Sequence, residues 1–285
     1  MKPTRTSFAV IAASALLAAS GAQAAPLGPK RASDAYWEAR ESAALSVMAN
    51  AGENVLQSLL SAADAGDVEA MNLLGVLYVL GVQVASDYSK ALHWFQQAID
   101  GGSVSAMHNL AQLYLFGIGV PRDYSNAFHW FQRSAAYGSV HGMYSAAVMA
   151  ENGLGTPRDI RIARAMYRDA AESGFAPAMV WVSDQLARGA AKRDLVEAYA
   201  WLQIASQSSE LAVDLRIVVL AKMEDLGSRL GPDRRNDARA RATHIVTTMK
   251  ARAPRPSAPD VRAPTPSSPE TSRRALPVRV SDVQP

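Results

Sequence analysis

Apolar residues along the middle of the chain recur at three- and four-residue steps, and glycines interrupt them at fixed intervals. From Val68 to Leu80 the positions Met71, Leu74, Leu77 and Tyr78 share one face at helical spacing. Gly81 follows as a stop, because glycine takes the left-handed conformation beyond a helix end without a Cβ clash. Asp87 suits the start of a second helix, where its carboxylate can accept free amide hydrogens of the first turn. That helix is expected to run to Asp100 and to close at Gly102.

The hairpin then repeats. Gly66, Gly102, Gly138 and Gly174 are 36 residues apart, and so are Gly81, Gly117, Gly153 and Gly189. Leu74, Leu110, Ala146 and Val182 keep the same step. Asp87, Asp123 and Asp159 keep it too, with Asp194 one residue early, and Ala91, Ala127, Ala163 and Ala198 share that slip. Trp94, Trp130 and Trp201 hold a column that Met166 fills in the third copy, and the column is expected to face inward as core. In the fourth copy Asp194 and Glu197 have capping-box spacing.

Copy two shows the full pattern: Ala106, Leu110, Tyr114, Gly117, Gly119, Val120, Asp123, Ala127, Trp130, Ala135, Ala136 and Gly138. It resembles the SEL-one-like repeat, a relative of the tetratricopeptide repeat. The resemblance covers residues 62–206 in four copies. Copy one has Gln83 where the second loop glycine belongs, copy three has Ala150 for the tyrosine, and copy four has lost the second loop glycine and one loop residue. The resemblance implies an all-α, right-handed α/α solenoid that works by binding proteins.

Solenoids need caps over their last apolar faces. Residues 25–61 are expected to supply the N-terminal cap, with helical segments from Asp34 to Met48 and from Glu53 onward. Residues 207–252 supply the C-terminal one. There Leu211, Leu215, Val218, Val219, Met223, Leu226 and Leu230 form a helical apolar stripe. Gly231-Pro232 breaks it, and Ala238, Ala242, Ile245 and Met249 follow on a further helix. Residues 253–285, rich in Pro, Ser and Arg, are expected to be a disordered tail.

Residues 1–24 have the three parts of a secretory signal. Lys2 and Arg5 are the positive start, Phe8 to Ala19 the apolar stretch, and Ala22-Gln23-Ala24 the small-residue cleavage site. The mature protein is therefore expected in the periplasm, or secreted, with no transmembrane segment. No cysteine occurs, which removes disulfides and thiolate chemistry together. The formal net charge is +3, and the basic excess sits at 231–252. A stretch so short in an exported protein does not point to nucleic acid.

The stretch from Leu115 to Phe131 places a G-x-G ahead of Asp123 and His129. A phosphate loop would lead into a free helix N-terminus. Here the Asp123 carboxylate occupies that end, so the glycines read as a turn. His93 and His129, one repeat apart, would lie on the order of 10 Å from each other. That is too far to share a metal ion, whose histidine ligands sit about 2 Å away. No catalytic, cofactor or metal site is expected.

The candidate site is the inner surface lined by the first helix of each repeat. Residues two before and two after the Leu74 column would face it: Asn72, His108, Tyr144 and Val180, then Val76, Gln112, Val148 and Asp184. The expected function is an adaptor holding a protein or peptide in this groove. A structural role, with the basic C-terminal end on an anionic envelope surface, and a cell-wall or β-lactam-processing enzyme are the alternatives.

Overall fold

The computed structural model describes residues 55–251, with 83, 190, 209, 210 and 212 outside the description. The expected signal segment, the helix from Asp34 to Met48 and the tail lie outside the described residues. Those residues form ten helices and no strand. α1 is Val55–Asp64, α2 Val68–Leu80, α3 Tyr88–Asp100, α4 Val104–Phe116, α5 Tyr124–Ala136, α6 Val140–Asn152, α7 Ile160–Glu172, α8 Ala176–Ala187, α9 Lys192–Ser206 and α10 Val213–Ala251. Each helix packs mainly on the one before and the one after it, with α2 also reaching α4 and α8 reaching α10. The expected all-α solenoid of hairpins is the observed architecture.

The helix starts follow from short polar side chains. Asp67, Ser103 and Ser139 cap the first helices α2, α4 and α6, and Asp87, Asp123 and Asp159 cap the second helices α3, α5 and α7. The Asn126 amide donates to Asp123 Oδ1 at 3.0 Å, and the Asn126 side-chain amide donates to Oδ2 at 2.8 Å. These bonds favour the ionised carboxylate. The amides of Lys90, Asn126 and Ile162 accordingly hold the carboxyls of Asp87, Asp123 and Asp159 below the ordinary aspartate range.

Copy four departs from this scheme. α9 starts after Ala191, which has no side-chain bond to the helix, and Asp194 lies inside its first turn. The capping box expected at Asp194 and Glu197 is therefore not formed. Nor does Gly189 act as a left-handed stop, since α8 ends at Arg188 in right-handed geometry. The missing loop residue accounts for both: the shortened connection brings Asp194 up against Gly189, where a Cβ would lie 2.7 Å from Asp194 Oδ2.

The loop glycines do more than turn the chain. Gly117 and Gly153 stop their helices at φ 74° and 70°, and the Gly117 amide donates to Leu113 O at 2.8 Å. Two residues on, Gly119 and Gly155 both have φ 69°. A Cβ on Gly155 would fall on the carbonyl of Tyr124, the first residue of α5, and one on Gly119 would fall on the Tyr88 side chain of α3. The loop of each of these repeats therefore sits directly on the outer helix of the repeat before it.

The core is a series of columns. Leu74, Leu110, Ala146 and Val182 are buried as expected, and so are Ala91, Ala127, Ala163 and Ala198. The tryptophan column is corrected. Trp94, Trp130 and Met166 are only half-buried, and of that set Trp201 alone is buried. The deep position belongs to the next residue along, Phe95, Phe131, Tyr167 and Leu202, with Phe95 and Phe131 fully enclosed. Adjacent helical residues point about 100° apart, and the small residues Gly75, Ala111 and Ala147 leave room on the Phe side. A Cβ on Gly75 would strike the Phe95 ring. Trp130 lies across the seam between hairpins, with Arg133 5.1 Å above its ring.

α10 closes the stack. It contains a true break at Gly231, φ 77° and ψ 172°, where the glycine-proline pair was expected to interrupt it. Leu211, Leu215, Val219, Leu226, Ala242 and Ile245 from both sides of the break join one cluster with Trp201 and Leu202. Two ion pairs pin it down, Lys222 to Asp184 at 2.6 Å and Arg241 to Glu197 at 3.0 Å.

Two stability measurements check this packing. Phe131→Ala should cost about 3–5 kcal/mol in denaturant unfolding, more than Trp130→Ala, and the reverse order would misplace the core column. Gly155→Ala combines an unfavourable φ with a backbone clash and should cost about 2 kcal/mol or more. Gly138→Ala, at φ 87° with open space around it, should cost less.

Candidate binding surface

The first helices α2, α4, α6 and α8 are buried on more than one side, whereas α3, α5 and α7 each keep a polar outer face. This overturns part of the groove expected from the sequence. Asn72, Val76, His108, Gln112, Tyr144 and Val180 are all buried, Gln112 to 1 % exposure. Val148 is half-buried and packs against the core of the third and fourth repeats. Asp184 is half-buried, and its carboxylate is taken by Lys222 of the cap. The six buried positions are therefore not an open lining. Residues two steps either side of the Leu74 column are covered by the helices before and after them in the chain.

Their contacts form two linked systems. In the first, the Asn109 side-chain amide donates to Asn72 Oδ1 at 2.8 Å, joining α4 to α2, and Gln112 Nε2 lies 3.2 Å from His108 Nε2. The second is a run of rings through repeats two to four. His108 lies 5.1 Å from Phe131 and 6.2 Å from His141, and His141 lies 4.8 Å from Phe175. Tyr144 contacts both Phe175 and Tyr167 at 5.3 Å, and Tyr167 stacks on Trp181 at 4.0 Å. Edge-on and offset ring pairs of this kind are attractive beyond their buried area.

This run does not follow the repeat length, so columns drawn one period apart do not contain it. His108 and His141 are 33 residues apart, one helical turn short of the period, and Asn72 and Asn109 are 37 apart, one residue over. Testing offsets of one residue and one turn around the repeat length would have found both pairs. His93 and His129, by contrast, are exposed and lie edge-on to the adjacent Trp94 and Trp130 at 5.8 and 5.7 Å.

The phenols of this face are not free bases. Burial, and then the charge of Glu151, push Tyr144 well above the ordinary tyrosine range. Tyr167 is pushed up more strongly, first by burial and then by Tyr144 and Glu151, and its hydroxyl donates to Glu151 Oε2 at 2.9 Å. Both stay neutral wherever the fold is intact. What stays half-buried on this face is His141 and Trp181 at the edge of the ring system, with Val148 two turns along α6 from His141.

Tandem helical hairpins that bury each other's faces, closed by a kinked terminal helix, define an α-solenoid of interaction repeats. The Sel1 repeat matches the chain at residues 68–103, 104–139, 140–175 and 176–209. The chain belongs to the Sel1 repeat family. Such proteins are generally scaffolds for protein–protein interaction and typically non-catalytic. Among solved structures, a Sel1 repeat protein from Oxalobacter formigenes is 31 % identical, over 46 % of this chain and 99 % of that one, with a TM-score of 0.43. A protective antigen present in uropathogenic Escherichia coli strains, displaying an SLR fold, is 20 % identical with a TM-score of 0.50. That match covers 85 % of this chain and 61 % of the antigen's length. No curated protein matches the chain.

The raised tyrosines have a measurable consequence. A phenol harder to ionise when folded stabilises the fold fully below its unfolded value near 10, and that contribution is lost as pH climbs through the folded value. Stability should therefore fall above about pH 10. A Tyr144→Phe/Tyr167→Phe variant should show a shallower alkaline fall in denaturant titrations. Identical slopes for the two proteins would contradict the burial described.

Proposed function

We propose that the protein is an exported scaffold that holds a protein or peptide partner against the ring-lined edge of its inner face. The observation that carries this is the concentration of partly open aromatic and apolar groups, His141, Val148 and Trp181, on the first helices of the third and fourth repeats. Rigid aromatic side chains recur at the energetic centres of protein interfaces because they offer large area at small entropic cost. The signal-like residues 1–24 support export, and the mature chain would act in the periplasm or beyond the cell. Among the described residues no helix is long and apolar enough to cross a membrane.

The reading that places the basic C-terminal end on an anionic envelope surface has less behind it. Arg241 of that stretch is engaged by Glu197, and Asp233 and Asp237 lie among its remaining arginines.

Two experiments test the proposal. The mature chain and its Val148→Asp variant, each checked for fold by circular dichroism, are used as bait on an envelope extract. The variant should lose the partners the parent retains, and equal recovery from both would end the inner-face reading. Separately, cell fractionation should find the processed chain outside the cytoplasm, beginning at Ala25. An unprocessed cytoplasmic chain would end the export reading and leave the binding face untouched.

A further inference from the structure

The outer face of the third repeat differs from its counterparts. In α7 the exposed residues Arg161, Arg164 and Arg168 follow one another at i, i+3 and i+7, a single row along the helix. At the matching positions the first two repeats carry Ser89, Leu92 and Gln96, then Ser125, Phe128 and Gln132. The fourth, with its one-residue slip, carries Val196, Tyr199 and Gln203. None of those positions is charged. The arginines are thus a property of this one repeat and not of the repeat pattern.

They are also unspent. Among the described residues the guanidiniums of Arg164 and Arg168 make no ion pair or hydrogen bond. That of Arg161 meets only the capping Asp159, at 3.9 Å, with the arginine side chain 93 % exposed. Ala165 is exposed beside the row, and Ile162, 49 % exposed, lies about a third of a turn round the helix from it. Three arginines in one row, two of them without an ion pair, flanked by an exposed aliphatic side chain have the composition of a binding patch: Arg is enriched at interfaces, and its planar fork engages carboxylates with two parallel bonds. A row of carboxylates at i, i+4 and i+7 on one helix has the same pitch as the arginine row.

We propose that the outer face of α7 is a second docking surface, which takes an acidic segment of a partner protein along Arg161, Arg164 and Arg168, with Ala165 beside the row and Ile162 at its flank. This surface belongs to a scaffold that can hold two partners at once. It extends the scaffold reading and does not depend on the inner face.

The test uses the mature chain and a short helical peptide presenting glutamates at i, i+4 and i+7, with binding followed by fluorescence anisotropy. The peptide should bind, and affinity should fall with added salt. Arg161→Gln/Arg164→Gln/Arg168→Gln should weaken it about tenfold or more, given a modest contribution from each exposed pair. Arg234→Gln/Arg235→Gln/Arg239→Gln should leave it unchanged. The proposal fails if the peptide does not bind, if the α7 variant binds like the parent, or if the α10 variant loses as much. It also fails if vesicles of phosphatidylcholine and phosphatidylglycerol in equal parts bind through the same three arginines while the peptide does not, which would make the face a membrane contact. The inner-face variant Val148→Asp should bind the peptide normally, so either reading can fall without the other.

Discussion

A pair of 13-residue helices joined by a short loop cannot enclose its own apolar surface. Everything else in this molecule follows from that constraint. Each hairpin covers the open side of the one before it, so contacts run almost wholly between sequential helices and stability propagates along one dimension. The small columns are what permit such coverage. Ala91, Ala127, Ala163 and Ala198 are fully enclosed, and Gly142 lies so near α5 that a Cβ would come 2.7 Å from the Ala135 amide nitrogen. At the far end the series needs an element that is not a hairpin. α10 meets the need by breaking at Gly231 and laying both of its halves on the final repeat.

Local features were legible in the sequence because local chemistry decides them. The expected bounds of the first hairpin, Val68 to Leu80 and Asp87 to Asp100, match α2 and α3 with Asp87 as the cap. An aspartate that can accept an amide, and a glycine free to turn left, act within a few residues and need no knowledge of the remainder. The break at Gly231-Pro232 was legible for the same reason. What faces what was not. Trp130 and Phe131 are neighbours of similar apolar character, and the crossing of helices decides which is enclosed. The candidate groove failed on the same ground. A column drawn at exact repeat spacing treats successive repeats as translated copies, whereas His108 finds His141 one turn short of that spacing. Asp184 looked like a lining residue because its partner, Lys222, lies 38 positions away in a cap of unrelated sequence.

The two faces of the solenoid divide chemistry between them. The inner helices hold the asymmetric polar contact of Asn72 with Asn109, the rings from Phe131 to Trp181 join inner helices to outer ones, and these contacts lock particular repeats to particular neighbours. Polar pairs enclosed in this way oppose register slips, because a shifted register leaves donors and acceptors unmatched. The outer helices are tied down by their buried alanines and deep aromatics, which leaves their solvent faces free to differ. The arginine row of α7 stands on a helix whose enclosed positions, Ala163, Tyr167 and Ala170, follow the same plan as its neighbours.

The shortened loop of the fourth repeat bears on how such an array can change in length. In the second and third repeats a left-handed glycine lets the loop rest on the preceding outer helix, and a duplicate of either unit reproduces that seat. In the fourth, Ala191 stands in the same column with φ −78°, so the seat is absent. A further unit copied from this one would inherit a loop without that glycine, and would have to pack through its helices alone. Lengthening the array by copying its second or third unit would keep the seat, whereas copying its fourth would carry forward the version without it.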